Sequence, residues 1–285
     1  MRFFKSAALI AIIFCAGIVD AQADCGPQHT EMLNTAVRID TSGSGTVIYS
    51  QKHGVAPKEK YETYILTIYH VIEKSIRIRE IWSPQKSRKI KRETRSPVTA
   101  FWFDYVRCAR SVGTRGKLAD IVAHDEQMDL ALLQIRDYER GVGEVAYILP
   151  FEEVPKLGQR VWAVGAGLGY PPFMTSGEMA FSEQIINGYR YQLATAPIIF
   201  GNSGGALFAY SDDRKRYEMI GVPSRVSATG FQAVTHMAWS VPSETVYKFL
   251  RDNFHGFIVG DKYLEPKDRK PSKKDRDRDR DRDDD

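Results

Sequence analysis

Short runs of apolar and β-branched residues, each ended by glycine or by polar residues, are the feature that most constrains the fold of this chain. Many short strands at such spacing predict a β-barrel or a β-sandwich. The 43% of hydrophobic residues in the 285-residue chain is enough to fill a sizeable core. The runs are GTVIYS (45–50), YILTIYHVI (64–72), KLADIVAHD (117–125), LALLQI (130–135), RVWAVGA (160–166), RYQLATA (190–196), GALFAY (205–210), YEMIGVPS (217–224) and HMAWSVP (236–242).

A different pattern follows the last of these runs, in PSETVYKFLRDNF at 242–254. Pro242 and Ser243 are typical of the start of a helix. Apolar residues then recur at helical spacing, at Val246, Phe249, Leu250 and Phe254. We therefore expect a C-terminal helix that packs against the β-rich part.

The two ends of the chain differ from the rest. Arg2 and Lys5 precede an apolar run from about 7 to 19, and Ala21-Gln22-Ala23 has the small residues of a cleavage site, which predicts a signal peptide over 1–23. An uncleaved anchor is the alternative, but the run is shorter than the ~20 residues that span a bilayer. We expect export to the periplasm or the extracellular space. Residues 261–285 are mostly charged, and we expect them to form a disordered tail.

The cysteine count is small. Cys15 lies in the predicted signal peptide, so Cys25 and Cys108 remain as a pair for a disulfide in an oxidising compartment. The sequence alone leaves open whether they are joined.

The segment 74–95, KSIRIREIWSPQKSRKIKRETR, is strongly basic. A solvated loop or a long hairpin is the favoured interpretation. The alternative is a site for anionic lipid, polysaccharide or nucleic acid. The formal net charge of +4 is too small to decide between them, and no specific nucleic-acid binding is expected.

Ser203 lies between glycines in PIIFGNSGGALF at 197–208. Small neighbours let the backbone bend sharply and approach a substrate, as a nucleophilic serine requires. The same residues are also common in ordinary turns. These residues alone do not distinguish a nucleophilic serine from a serine in an ordinary turn.

A serine nucleophile needs a histidine to accept its proton and usually a carboxylate to orient that histidine. His70 ends an apolar run where a strand gives way to a turn or helix, whereas His124 and His236 fit a structural role in β-rich segments. Asp129 directly precedes the run LALLQI, and Asp125 is its nearby rival. His70, Asp129 and Ser203 follow the chain order of the chymotrypsin fold.

Several motifs in the same order resemble those of the HtrA/Deg family of trypsin-like serine endopeptidases. They are GSGTVI (43–48), ILTIYHVI (65–72), DLALLQI (129–135), LGQRVWAVGAGLG (157–169), TSGEM (175–179), GNSGGALF (201–208) and WSVPSETVYKFL (239–250). The resemblance implies an all-β protease domain over 24–260, with two six-stranded antiparallel barrels, a boundary near 140–155 and a C-terminal helix. His70 and Asp129 would come from the first barrel and Ser203 from the second.

The resemblance also implies the groups around the nucleophile. The backbone N–H groups of Gly201 and Ser203 would form an oxyanion hole. Asn202 carries no charge for the ion pair that activates trypsin-like zymogens, so activation of that kind is not expected. Pro197 would lie at the floor of the specificity pocket, and uncharged residues would form its walls, which implies cleavage after small or medium aliphatic residues. The wall residues are Val222, Ser224, Ala238 and Ser240.

The chain departs from the family in one respect that concerns partners. Only some thirty residues follow the predicted helix, so capture of substrates by a PDZ domain is not expected. The implied partners are protein or peptide substrates and other copies of the chain, without a cofactor or metal. A serine endopeptidase acting on unfolded or misfolded proteins is the main hypothesis. The alternatives are a catalytically silent binding or chaperone-like protein and, less favoured, an esterase.

Overall fold

The computed structural model describes residues 25–41, 43–54, 59–84, 87–108, 110–137, 139, 141–186, 188–230 and 232–261. The predicted signal peptide and all but the first residue of the predicted tail lie outside them. Within these ranges no helix combines the length and the hydropathy needed to cross a bilayer.

Antiparallel strands dominate the described residues. The strands are β1 (Ala36–Ile39), β2 (Gly43–His53), β3 (Lys60–Thr67), β4 (Ile76–Ser83), β5 (Arg88–Arg95), β6 (Val98–Val106), β7 (Arg110–Asp125), β8 (Leu130–Ile135), β9 (Tyr147–Ile148), β10 (Arg160–Gly165), β11 (Phe173–Ile186), β12 (Tyr189–Ala194), β13 (Ala206–Ser211), β14 (Arg216–Thr229) and β15 (Gln232–Pro242). The α-helices are α1 (Tyr69–Ile72) and α2 (Ser243–Asp252). Short helical turns of other types cover Gln28–Met32, Leu33–Thr35, Glu73–Ser75, Gly167–Gly169 and Gly256–Val259.

The first barrel is closed by six strands in the order β1, β2, β3, β8, β7, β6, with β6 paired back to β1. Its interior is filled by aliphatic side chains that alternate along the strands. In β7, for example, Ala119, Ile121 and Ala123 point inward from every second position. In β8 nearly every residue is buried, because its second face packs against other elements.

The second sheet runs in the order β13, β10, β11, β12, β15, β14, and β13 also pairs with β14, which joins the two ends of this run of six strands. The short β9 adds to β14 in parallel. A separate aliphatic cluster fills this half, with Val161, Met179 and Leu207 among its buried members. The predicted architecture of two six-stranded antiparallel units is confirmed.

A third apolar cluster joins the two halves and the C-terminal helix. Leu66 and Leu132 of the first barrel and Phe208 of the second are fully buried in it. The predicted helix is confirmed as α2, whose Phe249 and Leu250 enter the same cluster. Burial of each such side chain contributes roughly 1.5–3 kcal/mol, so this cluster holds the two halves and the helix together.

The basic segment forms a hairpin of β4 and β5, which is a two-stranded sheet of its own. It is inserted between the helical turn that follows α1 and strand β6 of the first barrel. Of the two forms expected for a solvated segment, a loop or a long hairpin, the chain adopts the hairpin.

Cys25 and Cys108 are joined by a disulfide, with their Cα atoms 5.2 Å apart and a sequence separation of 83. The bond ties the start of the described chain to the turn between β6 and β7. The sequence left open whether these two cysteines are joined, and the fold brings them close enough to form the bond.

Replacing both Cys25 and Cys108 by serine is expected to lower the free energy of unfolding by about 2–5 kcal/mol, because the disulfide restricts the unfolded chain over a long loop. Urea unfolding followed by tryptophan fluorescence measures the effect. A reductant should destabilise the unmodified protein and leave the double variant unchanged. Equal free energies of unfolding for the unmodified protein and the double variant would show that the disulfide does not contribute to stability.

Candidate active site

His70 lies at the rim of the first barrel because β3 ends just before it. The chain leaves β3 at Thr67 and turns through an extended Ile68 into the single turn of α1. Ile72 on the far side of that turn is fully buried and anchors it. The imidazole of His70 stays 44% exposed, so one edge of the ring faces solvent.

Asp129 ends the tight turn between β7 and β8. Asp125 stabilises this turn by accepting hydrogen bonds from the backbone N–H groups of Gln127 (2.9 Å) and Met128 (3.0 Å). Asp129 itself has a φ of 50°, a left-handed conformation that aspartate tolerates better than most residues. Its carboxylate is buried beneath His70, with 6% of the residue exposed.

The ring of His70 is bound to this carboxylate. Its Nδ1 lies 3.0 Å from Oδ2 and 3.2 Å from Oδ1 of Asp129, and the backbone N–H of His70 donates to Oδ1 at 3.1 Å. An ionised carboxylate only accepts hydrogen bonds, so Nδ1 carries the proton in this arrangement. Nε2 is then left as an acceptor, which is the form that a general base requires.

Ser224 of β14 adds a donor from the second barrel. Its hydroxyl donates to Oδ2 of Asp129 at 2.6 Å, and the residue is buried. Sequence reasoning placed Ser224 in a pocket wall and missed this bond, because no local signal links two residues 95 positions apart. Tyr191 lies beside the pair, and burial raises its pKa, so the phenol stays neutral there.

The loop that presents Ser203 requires the glycine at 201. Gly201 has a φ of 99°, and a Cβ there would lie 2.6 Å from the carbonyl oxygen of Ala166. The hydroxyl of Ser203 donates to the carbonyl of Ser224 at 3.4 Å, a long and weak hydrogen bond. Ser203 therefore lies next to Ser224, which binds Asp129. The loop needs glycine at 201 because a side chain does not fit there.

Among residues 200–205, the amides of Phe200, Gly201 and Ser203 have no acceptor in the part of the chain that the structure describes, and of these three residues Phe200 is 69% exposed to solvent. The amides of Asn202 and Gly204 instead donate to the carbonyls of Ile199 (3.0 Å) and Pro223 (2.9 Å). Unpaired backbone N–H groups at a buried position are rare and costly. A loop with two such donors beside a serine hydroxyl can bind an oxygen that carries negative charge.

Ser44 of β2 fixes the position of this loop, and sequence reasoning used it only as part of the motif GSGTVI. Its hydroxyl donates to the carbonyl of Gly201 at 2.6 Å and accepts the N–H of Ala166 at 2.7 Å. Its own N–H donates to the carbonyl of Ser203 at 2.9 Å. This fully buried residue of the first barrel thus orients the peptide groups that follow Gly201 and Ser203.

Asn202 turns its side chain into the protein. Its Oδ1 accepts the N–H of Ile199 at 3.0 Å, and 1% of the residue is exposed. A carboxamide makes this bond without a counterion, whereas a carboxylate at the same buried position would need one.

The residues predicted for the specificity pocket differ in their exposure to solvent. Pro197 is exposed, and its carbonyl accepts a hydrogen bond of 2.6 Å from the hydroxyl of Thr175. Val222, Ala238 and Ser240 are fully buried on the paired strands β14 and β15.

The alternatives to His70 and Asp129 have other positions and contacts. His124 is bound through Nε2 to Glu93 at 3.0 Å, and His236 is exposed on β15. Asp125 supports the turn already described. Among the described residues, no group of three or more His, Cys, Asp or Glu side chains could hold a metal ion.

Comparisons with known proteins match a domain family and structures of similar fold. The family described as "Trypsin-like peptidase domain" matches residues 43–222. A serine endoprotease from Yersinia pestis aligns with a TM-score of 0.53 at 18% identity over 80% of this chain and 66% of its own. The HtrA-type protease AlgW, in a structure with a tripeptide, aligns with a TM-score of 0.54 at 16% identity over 80% of this chain and 62% of its own.

The chain thus spans just under two-thirds of the length of those two structures. At such identities the likeness concerns the fold. No curated protein sequence matches the chain.

Replacing Ser44 by alanine is expected to lower the free energy of unfolding by about 1–3 kcal/mol, because it leaves buried groups of the Ser203 loop without partners. Urea unfolding measures this loss. Thr46→Val is a matched control, since the hydroxyl of Thr46 is buried on the same strand and has no partner in the described chain. Equal losses in both variants would mean that the bonds of Ser44 do not hold the loop.

Proposed function

The chain belongs to the trypsin-like peptidase domain family, and from this membership and the geometry around Ser203 we propose that it is a serine endopeptidase. Ser203 is the nucleophile, His70 the general base and Asp129 the group that orients the base. The observation that carries the proposal is the hydrogen-bonded connection from the His70 imidazole through the buried Asp129 to Ser224, beside the hydroxyl of Ser203.

The proposed reaction begins when the hydroxyl of Ser203 rotates from the Ser224 carbonyl toward Nε2 of His70. Its oxygen attacks the carbonyl carbon of the peptide bond while Nε2 accepts the proton. The imidazolium is stabilised by the carboxylate of Asp129, which already binds the N–H at Nδ1. His70 then gives the proton to the leaving amine, and an acyl group remains on Ser203.

Hydrolysis of the acyl group repeats these steps with water. His70 removes a proton from the water molecule as its oxygen attacks the acyl carbon, and the proton returns to Ser203 when the bond to its oxygen breaks. In both steps negative charge develops on the substrate oxygen. The free amides of Gly201 and Ser203 are the donors for that oxygen, and one such donor typically contributes a factor of roughly 10² to 10³ in turnover.

Protein or peptide chains are the proposed substrates, with unfolded or misfolded proteins as the main class. The HtrA-type protease AlgW was solved with a tripeptide, and its fold is shared by this chain. The cell would export the protein to the periplasm or beyond, where the predicted signal peptide directs it. Self-association is proposed from the same resemblance.

The second candidate function is a binding or chaperone-like protein that keeps the fold without turnover. Its support is the 3.4 Å hydrogen bond that directs the Ser203 hydroxyl toward the Ser224 carbonyl. A fluorophosphonate probe distinguishes the two, since it reacts rapidly only with an activated serine. Rapid labelling that is lost in Ser203→Ala supports the protease, and absence of labelling supports the binding protein.

Ser203→Ala and His70→Ala are expected to abolish cleavage of an unfolded protein without unfolding the barrels. Asp129→Asn should lower kcat by about 10⁴-fold, because the ring of His70 would no longer be held in the required tautomer. Asp125→Asn is the matched control, and its effect should be far smaller, since the hydrogen bonds of Asp125 support the turn before Asp129. A larger loss from Asp125→Asn than from Asp129→Asn would show that the wrong carboxylate has been assigned.

Cleavage is expected after small or medium aliphatic residues and not after lysine or arginine, because the residues assigned to the pocket carry no charge. An apolar pocket separates neighbouring aliphatic side chains by only about 1–3 kcal/mol per methylene, so the preference should be broad. Sequencing the products from an unfolded protein measures it. Cuts mainly after basic residues would overturn the pocket assignment and leave the triad assignment intact.

A further inference from the structure

The hairpin of β4 and β5 has a concentration of positive charge that the proposed chemistry does not use. Residues 76–95 carry eight lysine or arginine residues and two glutamates. In an antiparallel pair, residues directly opposite each other share a face of the ribbon. The register therefore decides which charges lie side by side.

That register places Arg79 directly opposite Arg92. Arg77 lies on the same face, two residues before Arg79, at a spacing of about 7 Å along the strand. Within the described chain none of these three guanidinium groups forms an ion pair. Like charges directly opposite each other destabilise a hairpin, so the arrangement costs stability unless an anion binds there.

The other face of the ribbon exposes large apolar side chains. Ile78 and Trp82 are 61% and 62% exposed, and they lie four residues apart on the same side of β4. Lys89 is directly opposite Trp82, and Lys91 is opposite the intervening Glu80. Neither apolar residue is needed for the core of a barrel.

The end of the hairpin away from its turn is fixed to the first barrel. Glu93 binds His124 at 3.0 Å, and Arg95 donates to the carbonyls of Ile121 (3.0 Å) and Val122 (3.1 Å). Burial of Glu93 opposes its ionisation, but its hydrogen bonds to His124 and Arg95 prevail, and the net effect is a lowered pKa. The ribbon is therefore held at the Glu93 and Arg95 end, while Trp82 lies toward its turn.

These observations fit a surface with anionic groups on the outside and an apolar layer beneath them. A soluble polyanion would neutralise the arginines but would leave Ile78 exposed to water. The interfacial region of a bilayer accepts tryptophan and aliphatic side chains, while long basic side chains reach the headgroup phosphates. The arginines lie on the opposite face of a thin ribbon, within one Debye length (about 10 Å) of that surface, so they still attract the headgroups.

We propose that the β4–β5 hairpin binds this protein to bilayers that contain anionic phospholipid. Trp82 enters the interface near the hairpin turn, and Ile78 contacts it from the same side of β4, nearer the barrel. Arg77, Arg79 and Arg92 supply the attraction to the headgroups. The hairpin thereby brings the site at Ser203 to a membrane surface, without a part in the chemistry of that site.

The test is sedimentation of the purified full chain with vesicles. Vesicles of equal parts phosphatidylcholine and phosphatidylglycerol should bind it, and vesicles of phosphatidylcholine alone should bind it much less. Joint replacement of Arg77, Arg79 and Arg92 by glutamine should weaken binding at least about tenfold, because each basic residue near an anionic surface contributes substantially. Trp82→Ala should weaken binding several-fold.

Matched controls keep the test independent of net charge and folding. Joint replacement of Arg110, Lys156 and Lys215 by glutamine removes the same charge from other exposed positions, and it should change binding little. Leu157→Ala removes a side chain that is 66% exposed, and it should leave binding unchanged. Circular dichroism and thermal unfolding of each variant verify that the barrels remain folded.

Several outcomes would overturn the proposal. They are equal losses in the two triple variants, unchanged binding in the hairpin variants, and failure to bind the phosphatidylglycerol vesicles. Binding to heparin or single-stranded DNA without binding to vesicles would also overturn it and would assign the arginines to a soluble polyanion.

Discussion

The carboxylate of Asp129 receives hydrogen bonds from both barrels, and the rest of the site is arranged around it. His70 donates to it from the turn after β3, and Ser224 donates from β14. A buried carboxylate is stable only when several donors surround it. The donors available here are those that also fix the ring of His70 and the strand beside Ser203. The requirement to satisfy one buried charge therefore determines how the two barrels meet.

A second set of bonds between the barrels has the same effect on the loop of Ser203. Ser44 of the first barrel donates to the carbonyl of Gly201 through its hydroxyl and to the carbonyl of Ser203 through its backbone N–H, and these bonds fix the peptide groups that follow the two residues. The glycine at 201 is needed because its φ of 99° and the nearby Ala166 carbonyl exclude a side chain. Contacts between the barrels thus help to hold the loop in the conformation that leaves the amides of Gly201 and Ser203 without acceptors in the described chain.

The hairpin of β4 and β5 shows how an insertion can be added without disturbing this arrangement. It enters and leaves the first barrel between α1 and β6, and its bonds to the barrel are made at the backbone of β7 and at His124. His124 in turn packs its ring against Tyr69, the neighbour of His70, with ring centroids 5.5 Å apart. The insertion and the site therefore share a supporting side chain, while Arg77, Arg79 and Arg92 of the hairpin stay exposed.

The sequence by itself determined the β-rich class, the C-terminal helix and the residue types of the site, since strand and helix periodicity and turn residues are local properties. The chain order of His70, Asp129 and Ser203 was also readable from it. Only the tertiary structure decided that Ser224 binds Asp129, that Ser44 holds the Ser203 loop and that Cys25 meets Cys108. It also decided that Arg79 faces Arg92. The first three contacts join residues far apart in sequence, so they depend on how distant segments pack together. The fourth depends on the register of the hairpin, which the pattern of residue types in 74–95 did not reveal.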